Sequence, residues 1–417
     1  MCELKSYTQD YLDTLYTGHA YHKIKVMFGS VEVTDNIISM KYVSMMHDGD
    51  AVTFGNSCAA QVELTIEEPP SNATNKNVTI SLGVEIDDGD DETENEIEWI
   101  QLGKFVVTNI EIEKTQVKYT MYDNMAAKLN KRYRSFLDWS SNVLTSDIEE
   151  EITGATGIEF SYGTATFSDG ENFELDRFPR QCTYRDMIGF MAALTGRDAV
   201  INGDGDIEYR CYQQVSDFEV TSDAVYEDEF KKEESDSFNF KKVVCQTGEN
   251  DEDIIESTAR SAAGAFSEIG ISNPYITQSI MNTYIYPATG RTKSKYFTTN
   301  FTPTTIKMIG NPLIEVGDII KVYEDDTHYL WAYVMKVTHE YDGGLITTIE
   351  STSETEEAQA MQYVSPSSGG GSGGGGGSIT VDSAMSSTST NPVQNKVIYA
   401  YIGNIGEVLD AIQGEEI

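Results

Sequence analysis

A chain of 417 residues is long enough to bury several hydrophobic cores, and 39% hydrophobic residues with 24 tyrosines mark it as folded rather than disordered. Its 68 acidic residues against 29 basic ones give a net charge of −39, which argues against the lysine- and arginine-rich footprint of a nucleic-acid-binding surface.

From His22 the chain reads as strands. KIKVMFG, VEVTDNIISMKYV and AVTFGNSCAAQVELTIEE alternate apolar and polar residues between Gly- and Asp-rich turns. NVTISLGVEI and IEWIQLGKFVVTNIEIEK continue the pattern on either side of the carboxylate run DDGDDETENE, residues 87–96. That run lacks the alternating ligands and closing glutamate of a calcium loop and reads as a solvated hairpin tip. VKYTMYD closes this all-β portion near residue 123.

NMAAKLNKRYRSF, residues 124–136, is predicted as a helix whose Lys128, Lys131, Arg132 and Arg134 form a solvated face. The stretch 137–215 turns to mixed α/β. In CTYRDMIGFMAALTG, Thr183 and Asp186 have the spacing of a capping box. Met187, Phe190, Met191 and Leu194 follow at i, i+3, i+4 and i+7, and Gly196 supplies a left-handed stop. AVINGDGDIEYR reads as strand, turn, strand, and the helix is expected to pack its apolar stripe on that hairpin.

After an acidic span at 216–238, strands resume at FNFKKVVCQTG, and a helix is expected from Thr277 to Tyr286. TTIKMIGNPLIEVGDIIKVYEDDTHYLWAYVMKVTHEYDGGLITTIEST has the pattern of an antiparallel meander. LGKFVV near residue 103 and VGDIIKV near residue 317 echo each other, the trace expected of two related β-barrels.

SSGGGSGGGGGS then cannot hold a fixed backbone, so Gly369, Gly373 and Gly377 lie in a flexible tether. Beyond it, Ile398, Ile402, Ile405, Leu409 and Ile412 recur at spacings of 4, 3, 4 and 3, the seam of a coiled coil. Ile402 and Leu409 take the a positions and Ile398, Ile405 and Ile412 the d positions, a distribution that favours three or four strands. So short a helix is marginal alone and needs a partner for its oligomerisation or docking face; the plainer reading is an amphipathic helix packed on its own chain.

Little here carries chemistry. His19 and His22 form an HxxH with no third ligand close in sequence, and Glu149 with Glu150 is one acidic pair among many. Five scattered cysteines without a CxxC pair point to reduced, buried thiols. No nucleophile is paired with a base, so no catalytic residue, metal or cofactor is expected. No apolar run is long enough to span a bilayer, and MCELKSYTQDYLDTL lacks the apolar core of a signal peptide, so no membrane insertion is expected.

The fold expected is mainly β with α+β insertions: two related antiparallel β-barrels, a small α/β domain, a glycine tether and a C-terminal helix. The boundaries are 1–123 for the first β-barrel region, 124–215 for the helix and α/β domain, and 216–360 for the second β-barrel region with a helical insertion. The linker takes 361–378 and the terminal helix 379–417.

TFGNSCAAQVELTI, WIQLGKFVV with YDNMAAKLNKRY, TYRDMIGFMAALTGRDAVINGDGDIEYR, and GNPLIEVGDIIKV with HEYDGGLITTIES occur in this order. Together they resemble the baseplate hub, or tail-associated, protein of tailed bacteriophages and prophages, over roughly residues 20–360. VDSAMSSTSTNPVQNKVI resembles a segment that recurs in phage tail fibres and baseplate appendages. The resemblance implies a structural homotrimer in the virion tail tip or baseplate, assembled in the bacterial host cytoplasm. Two barrels per subunit would present a pseudo-sixfold ring to the tail tube or distal tail protein, with a tip spike, fibre or other baseplate protein beyond it. Its axial channel would lie on the route of genome ejection, with DNA passing an acidic lumen and not specifically bound. Many relatives continue into a cell-wall hydrolase or a receptor-binding fibre. This chain has only a tether and a short helix there, which ranks a receptor-binding tail tip adhesin or a cell-wall-degrading tail enzyme below the structural reading.

Overall fold

The structure, a computed structural model, describes residues 7–16, 20–47, 52–74, 76–86, 96–161, 172–179, 182–211, 214–232, 240–248, 253–258, 267–285, 303–325, 327–351 and 366–367. The chain divides into two units, Met1–Gly369 and Gly370–Ile417. Gly369 and the whole second unit, which holds Gly373, Gly377 and the seam Ile398, Ile402, Ile405, Leu409 and Ile412, lie outside the described residues, as do His19 and most of the carboxylate run.

A short helix α1 (Gln9–Tyr16) opens the fold with Tyr11 and Leu15, one turn apart, fully buried. Strands β1 (His22–Phe28), β2 (Val31–Val33), β3 (Ile37–Met45), β4 (Gln61–Glu67), β5 (Asn77–Ile86), β6 (Glu96–Glu113) and β7 (Gln116–Tyr122) follow. Their alternation has the expected consequence: Ile24, Val26 and Phe28 on β1 and Val62, Leu64 and Ile66 on β4 all point into one core.

The α/β part comprises α2 (Asn124–Ala127), β8 (Val143–Leu144), α3 (Thr145–Thr156), β9 (Glu174–Leu175), β10 (Phe178–Pro179) and α4 (Tyr184–Ala193), then the hairpin β11 (Asp198–Ile201) and β12 (Ile207–Arg210). The capping box of α4 is formed: Thr183 Oγ1 accepts from the Asp186 amide at 3.0 Å, and Asp186 Oδ2 accepts from the Thr183 amide at 2.7 Å. Met187, Phe190, Met191 and Leu194 are buried with Ala199, Ile207 and Tyr209 of the hairpin, and Gly196 stops the helix at φ 66°.

The predicted helix over 124–136 is not what forms. Only α2, capped by Asp123, is helical. The chain beyond it runs alongside the N-terminus of α4, where the Lys131 and Leu129 carbonyls accept from the Tyr184 and Arg185 amides and the Tyr133 amide donates to the Cys182 carbonyl. Those backbone bonds, together with burial of Leu129 and Tyr133, outcompete a helix whose exposed residues Lys131, Arg132 and Arg134 give it no packing in return.

The remaining elements are β13 (Gln214–Val220), β14 (Val225–Lys232), β15 (Phe240–Gln246), β16 (Ile254–Thr258), β17 (Ser267–Ser272), α5 (Gln278–Ile280), β18 (Thr304–Ile309), β19 (Asp318–Tyr323), β20 (Tyr329–Tyr333), β21 (Lys336–Tyr341), β22 (Leu345–Ser351) and β23 (Pro366–Ser367). The expected helix at 277–286 is α5, capped by Thr277, continuing as a π-helical turn over Met281–Ile285.

The architecture is mainly β, and its centre is an eleven-stranded sheet in the order β14-β18-β22-β21-β3-β4-β7-β6-β5-β1-β2. β3 and β21 pair antiparallel from Met40 against Tyr341 to Met45 against Lys336, so strands of the first and second β regions share one sheet. The stretch expected as a simple meander is also divided. β18, β22 and β21 belong to the large sheet, whereas β19 and β20 form a second sheet in which β13 runs parallel to β19. LGKFVV lies inside β6 of the large sheet and VGDIIKV runs into β19 of the small one. A core between the two β regions takes residues from both, including Met46, Val84 and Ile100 with Ile306, Ile320 and Val337.

Candidate functional site

The four sequence blocks singled out above meet at one buried junction. Its first side is the loop between β3 and β4. Gly55 adopts φ +85°, and its amide donates to the Arg197 carbonyl at 2.8 Å. The Ala199 amide donates back to the Asn56 carbonyl at 2.8 Å, and Ser57 and Ala199 form a parallel bridge. The Arg185 guanidinium on α4 donates through Nε to the Ser57 carbonyl. The loop thus lies along β11 as an extra stretch of pairing.

Charge is handled inside this contact by side chains that match. Asp198 is fully buried at the start of β11, and its Oδ1 accepts from the Asn56 amide at 2.9 Å and from Asn56 Nδ2 at 2.7 Å. Asn56 Nδ2 also lies 3.3 Å from His47 Nδ1. Burial pushes the His47 imidazole down to about 3, so the ring is neutral, and its Nδ1 accepts in the tautomer that carries the proton on Nε2.

The second side is the end of β7. Asp123 is buried, and its carboxylate accepts from the Ala60 amide at 2.7 Å and from the Met125 amide at 2.9 Å. One side chain therefore pins β4 and caps α2. Burial pushes its pKa up to about 7, against the pull of those amides and of Arg185. The turn between β11 and β12 is held by Gln101 Nε2 on the Gly203 carbonyl at 2.7 Å and by Asn124 Nδ2 on the Gly205 carbonyl at 2.9 Å. Arg210 at the end of β12 reaches the fourth block, donating to the Val316 carbonyl at 3.2 Å and to Glu315 at 2.8 Å, with Glu208 at 2.9 Å.

Such a junction can transmit position and load, and its buried carboxylates Asp123 and Asp198 are engaged in holding backbone amides. The other chemical candidates fall apart in the fold. His22 starts a strand rather than a helix, and its Nε2 lies 3.1 Å from the Gly310 carbonyl. Among the described residues no three His, Cys, Asp or Glu side chains are grouped to hold a metal. Glu149 is buried on α3 while Glu150 is exposed, so the two carboxylates do not face a common substrate. Burial raises Glu149 to about 7. Cys58, Cys182, Cys211 and Cys245 are buried thiols, and burial pushes Cys182 and Cys245 up to about 12, far from a reactive thiolate. An open groove of about 720 Å³ crosses the β3–β21 seam, but its rims are neutral ion pairs, Lys41 with Glu340 at 2.6 Å and Lys118 with Glu63 at 2.7 Å. Among the described residues no helix is long and apolar enough to cross a membrane.

Sequence reasoning missed Asn56, Asp198, Asp123 and Arg210 as a set. The signal available was that polar residues interrupt otherwise apolar motif blocks; the contacts that tie them across the fold, Asp123 to Ala60, Arg210 to Val316 and Asp198 to Asn56, span 63, 106 and 142 residues of sequence.

No family model matches the chain, and no curated protein matches it. Among solved structures it is similar to the 43 kDa tail protein of prophage MuSo2 from Shewanella oneidensis, at 11% identity and a TM-score of 0.49, covering 79% of this chain and 98% of that one. It is similar to a tail protein from Neisseria meningitidis MC58 at 10% identity and a TM-score of 0.49, covering 79% and 95%. A chain of the phage P2 baseplate in its activated conformation with Ca is matched at 10% identity and a TM-score of 0.28, covering 80% and 100%.

Proposed function

We propose that this chain is a structural protein of a phage tail baseplate, the hub that joins the tail tube or distal tail protein to the tip. The observation that carries the reading is the junction itself. The four blocks that resemble hub proteins are spent on tying two β regions to an α/β layer through Asn56, Asp198, Asp123 and Arg210.

The finer reading is a homotrimer whose subunits surround an axial channel for the ejected genome. The 4, 3, 4, 3 spacing of Ile398, Ile402, Ile405, Leu409 and Ile412 supports three chains converging, and the glycine tether would let that narrow bundle form while the bodies stand apart around a wider ring. The net charge of −39 fits a lumen that repels phosphate and so lets DNA pass.

Image reconstruction of tails that contain this chain is the test. The expected result is threefold density for the β body at the tip end of the tube. Density along the tube, at the head or in side fibres overturns the reading, and protein-dependent release of muropeptides from host cell walls overturns its non-enzymatic part.

A further inference from the structure

β6 outruns its neighbour. It pairs with β5 only from Glu96 to Val106, while its pairing with β7 continues to Glu113. The Val107 amide is still taken by the Lys76 carbonyl at 2.8 Å. From 108 to 113 the strand has β7 on one side and no strand on the other among the described residues. All six of these residues are exposed, with Ile110 50% and Ile112 72% accessible.

The two faces of this free edge differ. Ile110 and Ile112 share one face with their cross-strand partners Tyr119 and Val117, and both of those pack on the core of the first β region. The other face carries Asn109, Glu111 and Glu113, with Asn109 Nδ2 donating to Glu111 at 3.0 Å. The two outer strands of the eleven-stranded sheet are blunted. β2 has 3 residues, and the register of β14 shifts between Val225 and Phe230. The register of β6 itself shifts between Val107 and Asn109, where β5 ends, but from Asn109 to Glu113 it pairs with β7 without a break for five residues, which makes this edge a template for an added strand.

We propose that the free edge of β6 at residues 108–113 is a docking site for an extended segment of another protein, paired by β-augmentation. That segment carries apolar residues over Ile110 and Ile112, where they prolong the existing core. In alternation with them it carries lysine or arginine beside Glu111 and Glu113. The acidic edge and the net charge of −39 per chain favour a basic occupant over a second copy of this chain.

The experiment uses the full chain and two peptides of equal composition, Lys-Val-Lys-Val-Lys-Val-Lys and Lys-Lys-Val-Val-Val-Lys-Lys, each blocked at both ends. Hydrogen exchange is followed at physiological salt. Saturating alternating peptide should slow exchange of the outward-pointing, alternate amides in 108–113 by about tenfold or more, because an added strand takes their hydrogen bonds. The reordered peptide should not, and the chain with Ile110→Lys and Ile112→Lys should lose the effect at an unchanged melting temperature. Equal protection by both peptides would mean that charge alone binds, and overturns the proposal. Protection elsewhere, or none, does the same. Protection that rises with protein concentration in the absence of peptide would assign the edge to a second copy and overturn the basic occupant.

Discussion

Gly55 and Gly189 meet backbone to backbone. A Cβ on Gly189 would lie 2.6 Å from the Gly55 carbonyl oxygen, and a Cβ on Gly55 would lie 2.7 Å from the Ala193 Cβ. The loop after β3 can lie on α4 only because neither position has a side chain. Close approach is thus the local condition for the whole junction, since Asn56 and Ser57 reach β11 from the same loop.

Substitution at the two glycines should differ in size. Gly189→Ala forces backbone apart, a cost of about 1–3 kcal/mol, but gains about 1 kcal/mol of helix propensity inside α4. Gly55→Ala suffers the clash and in addition holds a side chain at φ +85°, so the expected loss is about 3 kcal/mol. Urea unfolding of the two variants checks the order; a Gly55→Ala chain as stable as the parent would mean the loop does not seat on α4.

Thr183→Ala should cost about 1 kcal/mol, because it frees the Asp186 amide at the start of α4 and loosens the return bond. Thr183→Ser should restore most of that. Thermal unfolding of the pair separates the hydroxyl from the methyl group.

Stability should depend on pH through buried groups that pull in opposite directions. Glu149 is raised from 4.5 to about 7, so its contribution is fully present below pH 4.5 and is lost as pH rises through 7. His47 is lowered from 6.5 to about 3, so its contribution is present above pH 6.5 and is lost as pH falls towards 3. Glu149→Gln should therefore gain on the parent by up to about 3 kcal/mol between mildly acidic and mildly alkaline pH. His47→Gln should be less acid-sensitive than the parent. Denaturant midpoints across that range give both slopes, and parallel curves for parent and variants would contradict the assignment.

On the trimeric reading proposed above, Ile405→Asp with Leu409→Asp should leave the β body folded while the mass in solution falls from trimer to monomer. Burial of each Ile or Leu in a helical seam contributes about 1.5–3 kcal/mol, so two buried carboxylates remove most of the drive to associate. Light scattering at several concentrations reads the mass, and near-ultraviolet circular dichroism reads the body.

Local physics was legible in the sequence. The cap at Thr183, the apolar stripe of α4, the stop at Gly196 and the hairpin at Gly205 depend on residues a few positions apart, and each formed. The alternation of β1 and β4 likewise fixed which side chains enter the core. What failed depended on distant partners. Residues 124–136 have helix-forming composition, yet the amides of Tyr184 and Arg185 claim the Lys131 and Leu129 carbonyls first. The β3–β21 ladder and the parallel β13–β19 and β15–β17 pairs left no mark in periodicity, because alternation states which face is buried and not which strand lies alongside. α3 was missed because its apolar contribution is limited to positions such as Ile148 and Ile152, too few to stand out from polar surroundings.

The β3–β21 ladder has a mechanical consequence. Its six residue pairs are bridged by bonds that run across the strands. A pull along the strand axis must shear all of them together, whereas a pull at right angles would peel them in turn. Force delivered parallel to β3 therefore loads all the pairs of a ladder that joins both β regions, and the direction of weakness is lateral, where the pairs separate one after another.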